Sequence, residues 1–143
     1  MILPTLSATE AFANQIAALA RPGDTILLSG DLGAGKTAFA RAFLRAAAGD
    51  PALEVPSPSF TLVQSYETHL GVIHHFDLWR LDGPASLTEL GWDDAREGIV
   101  LVEWPERLGT LAPEDALCLR FTLAEGEARS LTIEGWSGRL VQP

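Results

Sequence analysis

Asp24-Thr-Ile-Leu-Leu-Ser29 followed by Gly30-Asp31-Leu32-Gly33-Ala34-Gly35-Lys36-Thr37 is the stretch whose reading decides the fold. Its first half is short, apolar and β-branched at the start, the pattern of a buried strand. Its second half fits G-x-x-x-x-G-K-[ST] at every fixed position. From Lys36 to Ala48 the chain is rich in alanine, with Phe39 and Phe43 one turn apart, and Gly49-Asp50-Pro51 ends the pattern, so the spacing predicts a helix over 36–48. Strand, glycine-rich loop and helix together make a phosphate cradle. Backbone N–H groups of Asp31, Leu32, Gly33, Ala34 and Gly35 curl around phosphate oxygens, and Lys36 reaches the β- and γ-phosphates. The Thr37 hydroxyl meets Mg²⁺, and Ala38 continues into the helix whose N-terminus adds its positive end. The bland alternative is a glycine-rich turn that binds nothing. Composition argues against it, because the chain has nine arginines and one lysine, and that lysine is Lys36.

Working outward, Ser7-Ala8-Thr9-Glu10 has capping-box spacing and predicts a helix over 8–20, stopped by Pro22-Gly23. Residues 55–59, Val-Pro-Ser-Pro-Ser, form a connector, since each proline removes a donor and restrains its predecessor. Residues 60–67 and 72–78 read as two strands of an antiparallel hairpin. One or two short helices interrupted at Gly91 are expected over 84–96. A strand buried on both faces follows over 99–102 and ends at Glu103. Pro105 and Pro113 bracket a loop, and 117–123 and 131–134 form a closing hairpin across 124–127. The alternation predicts one three-layer α/β P-loop domain over 1–143, with a mainly parallel central sheet and antiparallel edge strands.

At 143 residues, 47% hydrophobic and 20% charged, the chain is long and apolar enough to bury one core. No apolar run approaches the roughly 20 residues that span a bilayer, so no membrane association is expected. The formal charge of −9 divides into −2 over 1–76 and −7 over 77–143. A large basic face is therefore excluded, and contact with nucleic acid is expected to be indirect. Cys118 is alone, which rules out an intramolecular disulfide. The first basic residue is Arg21 and no secretory pattern precedes it, so the expected compartment is the cytoplasm.

A P-loop hydrolase needs a carboxylate near the metal at the end of a neighbouring strand. Glu103 ends Ile99-Val-Leu-Val102, and Asp77 ends His75-Phe76. The competing readings are a solvated acid for Glu103 and, for Asp77, an ion pair with Arg80 or a turn cap. His74 and His75 are adjacent, so on a strand they face opposite ways and cannot share an ion; core or sheet-face roles are expected. Trp79, Trp92 and Trp136 read as packing. Trp104 follows Glu103 at the expected mouth of the site, where either packing or a response to nucleotide fits.

Gly-Asp-Leu-Gly-Ala-Gly-Lys-Thr (30–37), Ser57-Pro58-Ser59-Phe60-Thr61, His75-Phe76-Asp77-Leu78-Trp79-Arg80 and Val102-Glu103-Trp104-Pro105, in this order, resemble the TsaE (YjeE) family. The resemblance covers about 6–123 and leaves 124–143 without a usable motif. It implies an ATPase of tRNA threonylcarbamoyladenosine biosynthesis that uses ATP and Mg²⁺ and acts with TsaD and TsaB, touching tRNA only through them. It further implies that Lys36 and Thr37 bind phosphate and Mg²⁺, that Glu103 is the metal-linked acid, and that Asp77 is catalytic or metal-associated. Ser57, Ser59 and Thr61 then belong to a nucleotide-sensitive switch. Ser59 stands where the family usually has Thr, and Trp79 where Tyr is common, so Ser59 and Thr61 both remain candidates for the switch hydroxyl. Two rivals stay open on residues alone: a small-molecule P-loop kinase, and a nucleotide-gated interaction module with little hydrolysis.

Overall fold

The computed structural model describes residues 1–140. In chain order the elements are β1 (Ile2–Leu3), α1 (Leu6–Leu19), β2 (Thr25–Gly30), α2 (Lys36–Ala48), β3 (Val63–Thr68), β4 (Gly71–Asp77), α3 (Ser86–Glu89), α4 (Trp92–Ala95), β5 (Ile99–Glu103), a 3-10 segment (Pro105–Leu111), β6 (Leu117–Leu123) and β7 (Arg129–Glu134). The strands form one sheet in the order β1-β7-β6-β2-β5-β4-β3. Its centre is parallel, since β2 runs parallel to β5 and β6, and β4 parallel to β5. The edges are antiparallel: β3 on β4, β7 on β6, and β1 on β7.

Both faces of the sheet are covered, which explains why Ile99-Val-Leu-Val102 is apolar without alternation. On one face α1 and α2 pack Phe12, Ile16, Phe39 and Phe43 over Ile26, Leu28, Leu101 and Phe121. The Phe39 ring stands 5.9 Å from both Phe12 and Phe121, the offset distance aromatic rings favour. On the other face α3, α4 and the 3-10 segment place Leu87, Trp92 and Leu108 over Leu27, Phe76, Val100 and Val102. Each such side chain contributes about 1.5–3 kcal/mol by leaving water. These two layers hold rigid the strand ends on which the site is built.

Four local expectations are corrected. Helix α1 starts at Leu6, not 8, because the Thr5 hydroxyl accepts from the Ala8 N–H and caps it; Ser7 falls inside the first turn. Strand β3 starts at Val63, not 60. The Leu62 N–H bonds the Pro58 carbonyl at 2.7 Å, with Leu62 at a φ of 69°, so the connector closes a turn before the strand begins. Pro105 opens a 3-10 segment where a loop was expected, since proline's fixed φ suits a first helical position. Strand β7 begins two residues early, at Arg129, and pairs with β1, which is too short for periodicity to reveal.

Candidate nucleotide site

Three parallel strands end side by side. Glu103 is in register with Leu28 of β2 on one side and with Asp77 of β4 on the other, so both acids stand beside the strand that feeds the phosphate loop. The loop turns away at Gly30, whose φ of 138° and contact with the Phe121 carbonyl leave no room for a Cβ. Gly35, at a φ of 118°, hands the chain to α2 with no side chain capping the helix. The leading N–H groups of α2 are thus left for a ligand.

A cavity of about 280 Å³ lies in this angle. The loop contributes Leu32, Gly33 and the run from Gly35 to Ala38; the connector contributes Ser57 and Ser59; the strand ends contribute Asp77, Glu103 and Trp104. Apart from Thr9 and Thr25, the buried polar side chains among the described residues are Lys36, His75, Asp77 and Glu103, all gathered here. Buried charge that is retained in one place needs compensating partners, and each of these has them.

Glu103 accepts from the Thr37 hydroxyl at 2.8 Å on one oxygen and pairs with His75 Nε2 at 2.7 Å on the other. His75 is fully buried and its Nδ1 has no partner, so Nε2 is the nitrogen that donates and its only hydrogen-bonding task is to hold the carboxylate. Asp77 accepts from the Ser59 hydroxyl and from the Trp79 N–H, both at 3.1 Å, and Ser59 is 2.8 Å from Ser57. Lys36 Nζ donates to the carbonyls of Gly30 and, at 3.0 Å, Asp31, and lies 4.0 Å from the centre of the Trp104 ring. Burial pushes its ammonium below the usual lysine range, opposed by the charges of Glu103, Glu106, Asp77 and Asp31.

Trp104 is held between two demands. Its ring lies over Lys36 and stands 4.5 Å from Trp79, while its backbone sits in the left-handed region at a φ of 60°. A non-glycine residue there costs about 1–2 kcal/mol, and such strain persists where surrounding contacts hold it. A phosphate group taking Lys36 removes the cation from the ring. Tryptophan fluorescence is therefore expected to change on adding Mg-ATP and to lose most of that change in Trp104→Phe; an undiminished change in that variant would put the reporter at another tryptophan.

The loop candidates divide by position. Lys36, Thr37, Ser57, Ser59, Asp77, Glu103 and Trp104 meet in the cavity. Leu32 is on its rim, Asp31 offers its carbonyl to Lys36, and Ala34 is buried in the core beneath the loop. Thr61 is exposed and away from the cavity, where its hydroxyl accepts from Gln64, so Ser59 is the hydroxyl that reaches Asp77. Arg80 does not pair with Asp77; its guanidinium lies 4.6 Å from the exposed Phe60 ring. Two site residues escape the sequence reading. His75 could have been found from its i, i+2 spacing to Asp77, which puts both on one face of β4. Arg129 also lines the cavity, and no local signal points to it.

The donor set suits Mg²⁺. That ion takes one or two protein ligands and completes its shell with phosphate and water, and here a threonine hydroxyl and a carboxylate stand 2.8 Å apart beside a phosphate loop. No group of three or more His, Cys, Asp or Glu that could hold a metal ion is found among the described residues. No described helix is long and apolar enough to cross a membrane.

A sequence model of the family described as "Threonylcarbamoyl adenosine biosynthesis protein TsaE" matches residues 3–131. The chain is 36% identical over 133 residues to the tRNA threonylcarbamoyladenosine biosynthesis protein TsaE of Rickettsia bellii, covering 92% of each chain. It is 33% identical over 133 residues to the protein of that name from Bacillus subtilis, covering 92% of this chain and 82% of that one. With the Rickettsia felis relative it shares 40% identity over 107 residues, 74% of this chain but only 62% of the relative. The crystal structure of Bacillus subtilis YdiB matches with a TM-score of 0.77 at 29% identity, covering 97% of this chain and 86% of that one.

Proposed function

This chain belongs to the TsaE family, involved in tRNA threonylcarbamoyladenosine biosynthesis, and from that membership we propose that it binds Mg-ATP and hydrolyses it to drive turnover of a TsaD–TsaB threonylcarbamoyl-transfer complex. The observation that carries the reading is the meeting of Lys36, Thr37, Glu103 and Asp77 in one cavity at the ends of β2, β5 and β4.

In this reading the reaction is attack of water on the γ-phosphorus, with ADP leaving. Mg²⁺, when bound, neutralises charge on the phosphate oxygens. The protein's share is position and charge. Lys36 exchanges two carbonyls and the Trp104 ring for phosphate oxygens. Thr37 and Glu103 are the residues that would hold the metal, and His75 fixes the Glu103 carboxylate. Asp77, tied to Ser59, links the second acid to the proline-bracketed connector, so that occupancy of the γ-position is felt at residues 57–59.

Lys36→Ala removes the charge that meets the β- and γ-phosphates. Loss of one charged hydrogen-bonding group costs on the order of 1.5–3 kcal/mol, so Mg-ATP affinity, hydrolysis or both should fall about ten- to a hundredfold. Calorimetric titration together with phosphate release checks this. Unchanged affinity with unchanged hydrolysis would remove the phosphate-loop assignment.

A further inference from the structure

Three residues past Asp77, at most about 11 Å of chain away, stands Arg80. Its backbone is pinned on every side. The Leu78 N–H donates to the Glu103 carbonyl at 3.1 Å, the Trp79 N–H donates to the Asp77 carboxylate at 3.1 Å, and the Leu81 N–H closes a turn on the Leu78 carbonyl at 3.0 Å. Leu78 and Leu81 are buried, and the Trp79 ring stands 4.5 Å from Trp104, which lines the phosphate cavity. Arg80 itself is exposed. Its Cα is therefore fixed beside the cavity while its long side chain can change position.

The guanidinium lies over the exposed Phe60 ring, 4.6 Å from its centre. Neither ion pair found among the described residues, His75–Glu103 or Arg139–Asp24, involves it. A cation over an exposed ring is held weakly, by a bias of about two- to fivefold, so this contact parks Arg80 without locking it. Phe60 follows Ser59, whose hydroxyl donates to Asp77. Arg80 and the ring it rests on are thus both carried by segments tied to the same acid. The charge around that acid is unbalanced. Two buried carboxylates stand at the strand ends with Lys36 as the cation beside them, whereas Arg129 is held by the Gly33 carbonyl on the β6 and β7 side of β2. Charge that spreads over the oxygens of a phosphoryl group in transit calls for one more cation on the acid side, and the planar fork of arginine matches those oxygens.

We propose that Arg80 is this chain's own catalytic arginine, parked on Phe60 in the free protein and released to the γ-phosphate when the TsaD–TsaB pair covers the Phe60 ring. As water attacks the γ-phosphorus and ADP leaves, its N–H groups donate to the γ-oxygens and to the oxygen that bridges to the β-phosphate. Arg80 stays a cation throughout and transfers no proton. The inference rests on the Mg-ATP reading and deepens it.

Two measurements on the full chain test this: phosphate release from Mg-ATP, and calorimetric binding of Mg-ADP with aluminium fluoride, which imitates the phosphoryl group in transit. At saturating TsaD–TsaB, Arg80→Ala should lower the rate by about ten- to a hundredfold, while Mg-ATP affinity and the half-saturating concentration of the pair change less than about twofold. Arg80→Lys should recover little, because lysine lacks the fork. A second arm needs no partner. Phe60→Ala, at an exposed position where folding is not at stake, should raise the slow rate of the isolated chain and its affinity for the aluminium fluoride complex by about two- to fivefold. Both gains should vanish when Arg80→Ala is added. A full stimulated rate in Arg80→Ala would overturn the proposal. So would a loss that saturating pair restores, which would make Arg80 a docking residue. Phe60→Ala without either gain would overturn the parking. Loss of the stimulated rate in Arg107→Ala, with Arg80→Ala unaffected, would move the role to the exposed arginine four residues past Glu103. A wild-type chain that neither binds nor hydrolyses Mg-ATP would bring down the Mg-ATP reading itself, and the role of Arg80 with it.

Discussion

Glu103→Gln is expected to lower ATP hydrolysis about 10²–10³-fold, the usual cost of removing one preorganised electrostatic group, while Mg-ATP affinity changes only a few fold. The substitution keeps the shape of a side chain that is 2% exposed and removes its charge. It also replaces one acceptor oxygen by an amide that can only donate. Thr37 and His75 each donate to a different oxygen of Glu103, so one of them is left without its acceptor, and the side chain at 103 loses either its link to the Thr37 hydroxyl or its His75 anchor. Phosphate-release kinetics alongside equilibrium binding read the two effects separately. Asp77→Asn is the matched control, because Asp77 is also buried and lies in register beside Glu103. Normal turnover in Glu103→Gln with a dead Asp77→Asn would reverse the two roles.

How far the sequence reaches depends on how local each feature is. The phosphate loop and α2 are legible because both are fixed by consecutive residues: the glycines permit the turn, and Phe39 and Phe43 set the helical face. Glu103 is legible because an apolar run that ends in an acid has one plausible geometry on a parallel sheet. What escapes is whatever two distant segments make together. Thr5 caps α1 in place of Ser7. The parallel pairing of β4 with β5 puts His75 behind Glu103, and nothing in the His74-His75 pair by itself shows which of the two will be buried. Arg129 reaches the loop only because the closing hairpin folds back beside Gly33, a contact spanning 96 residues. The resemblance stops near residue 123, short of Arg129.

The second large effect concerns rate. Phosphoryl transfer is mostly positioning and charge stabilisation, and hydrolases without a placed arginine are slow until one is supplied or a switch is ordered, an effect of about 10³–10⁵ in known cases. Among the described residues, Arg129 is the arginine that lines the phosphate cavity, on the side away from the two acids, and Arg80 is engaged with Phe60. The isolated protein is therefore expected to hydrolyse ATP slowly and the TsaD–TsaB pair to accelerate it by orders of magnitude. The surface around the site suits such a contact. Leu32, Phe60 and Trp79 are large hydrophobic side chains 71%, 82% and 43% exposed, and the connector that carries Ser57 and Ser59 runs directly into Phe60. The charge of −7 over residues 77–143 favours a basic partner surface, with stimulation that weakens as salt rises. The most direct measurement is phosphate release from Mg-ATP by the same purified chain, alone and with TsaD and TsaB, at low and high salt. The account predicts slow release alone and strong, salt-sensitive stimulation by the pair, abolished in Glu103→Gln; fast release that ignores the pair would contradict it.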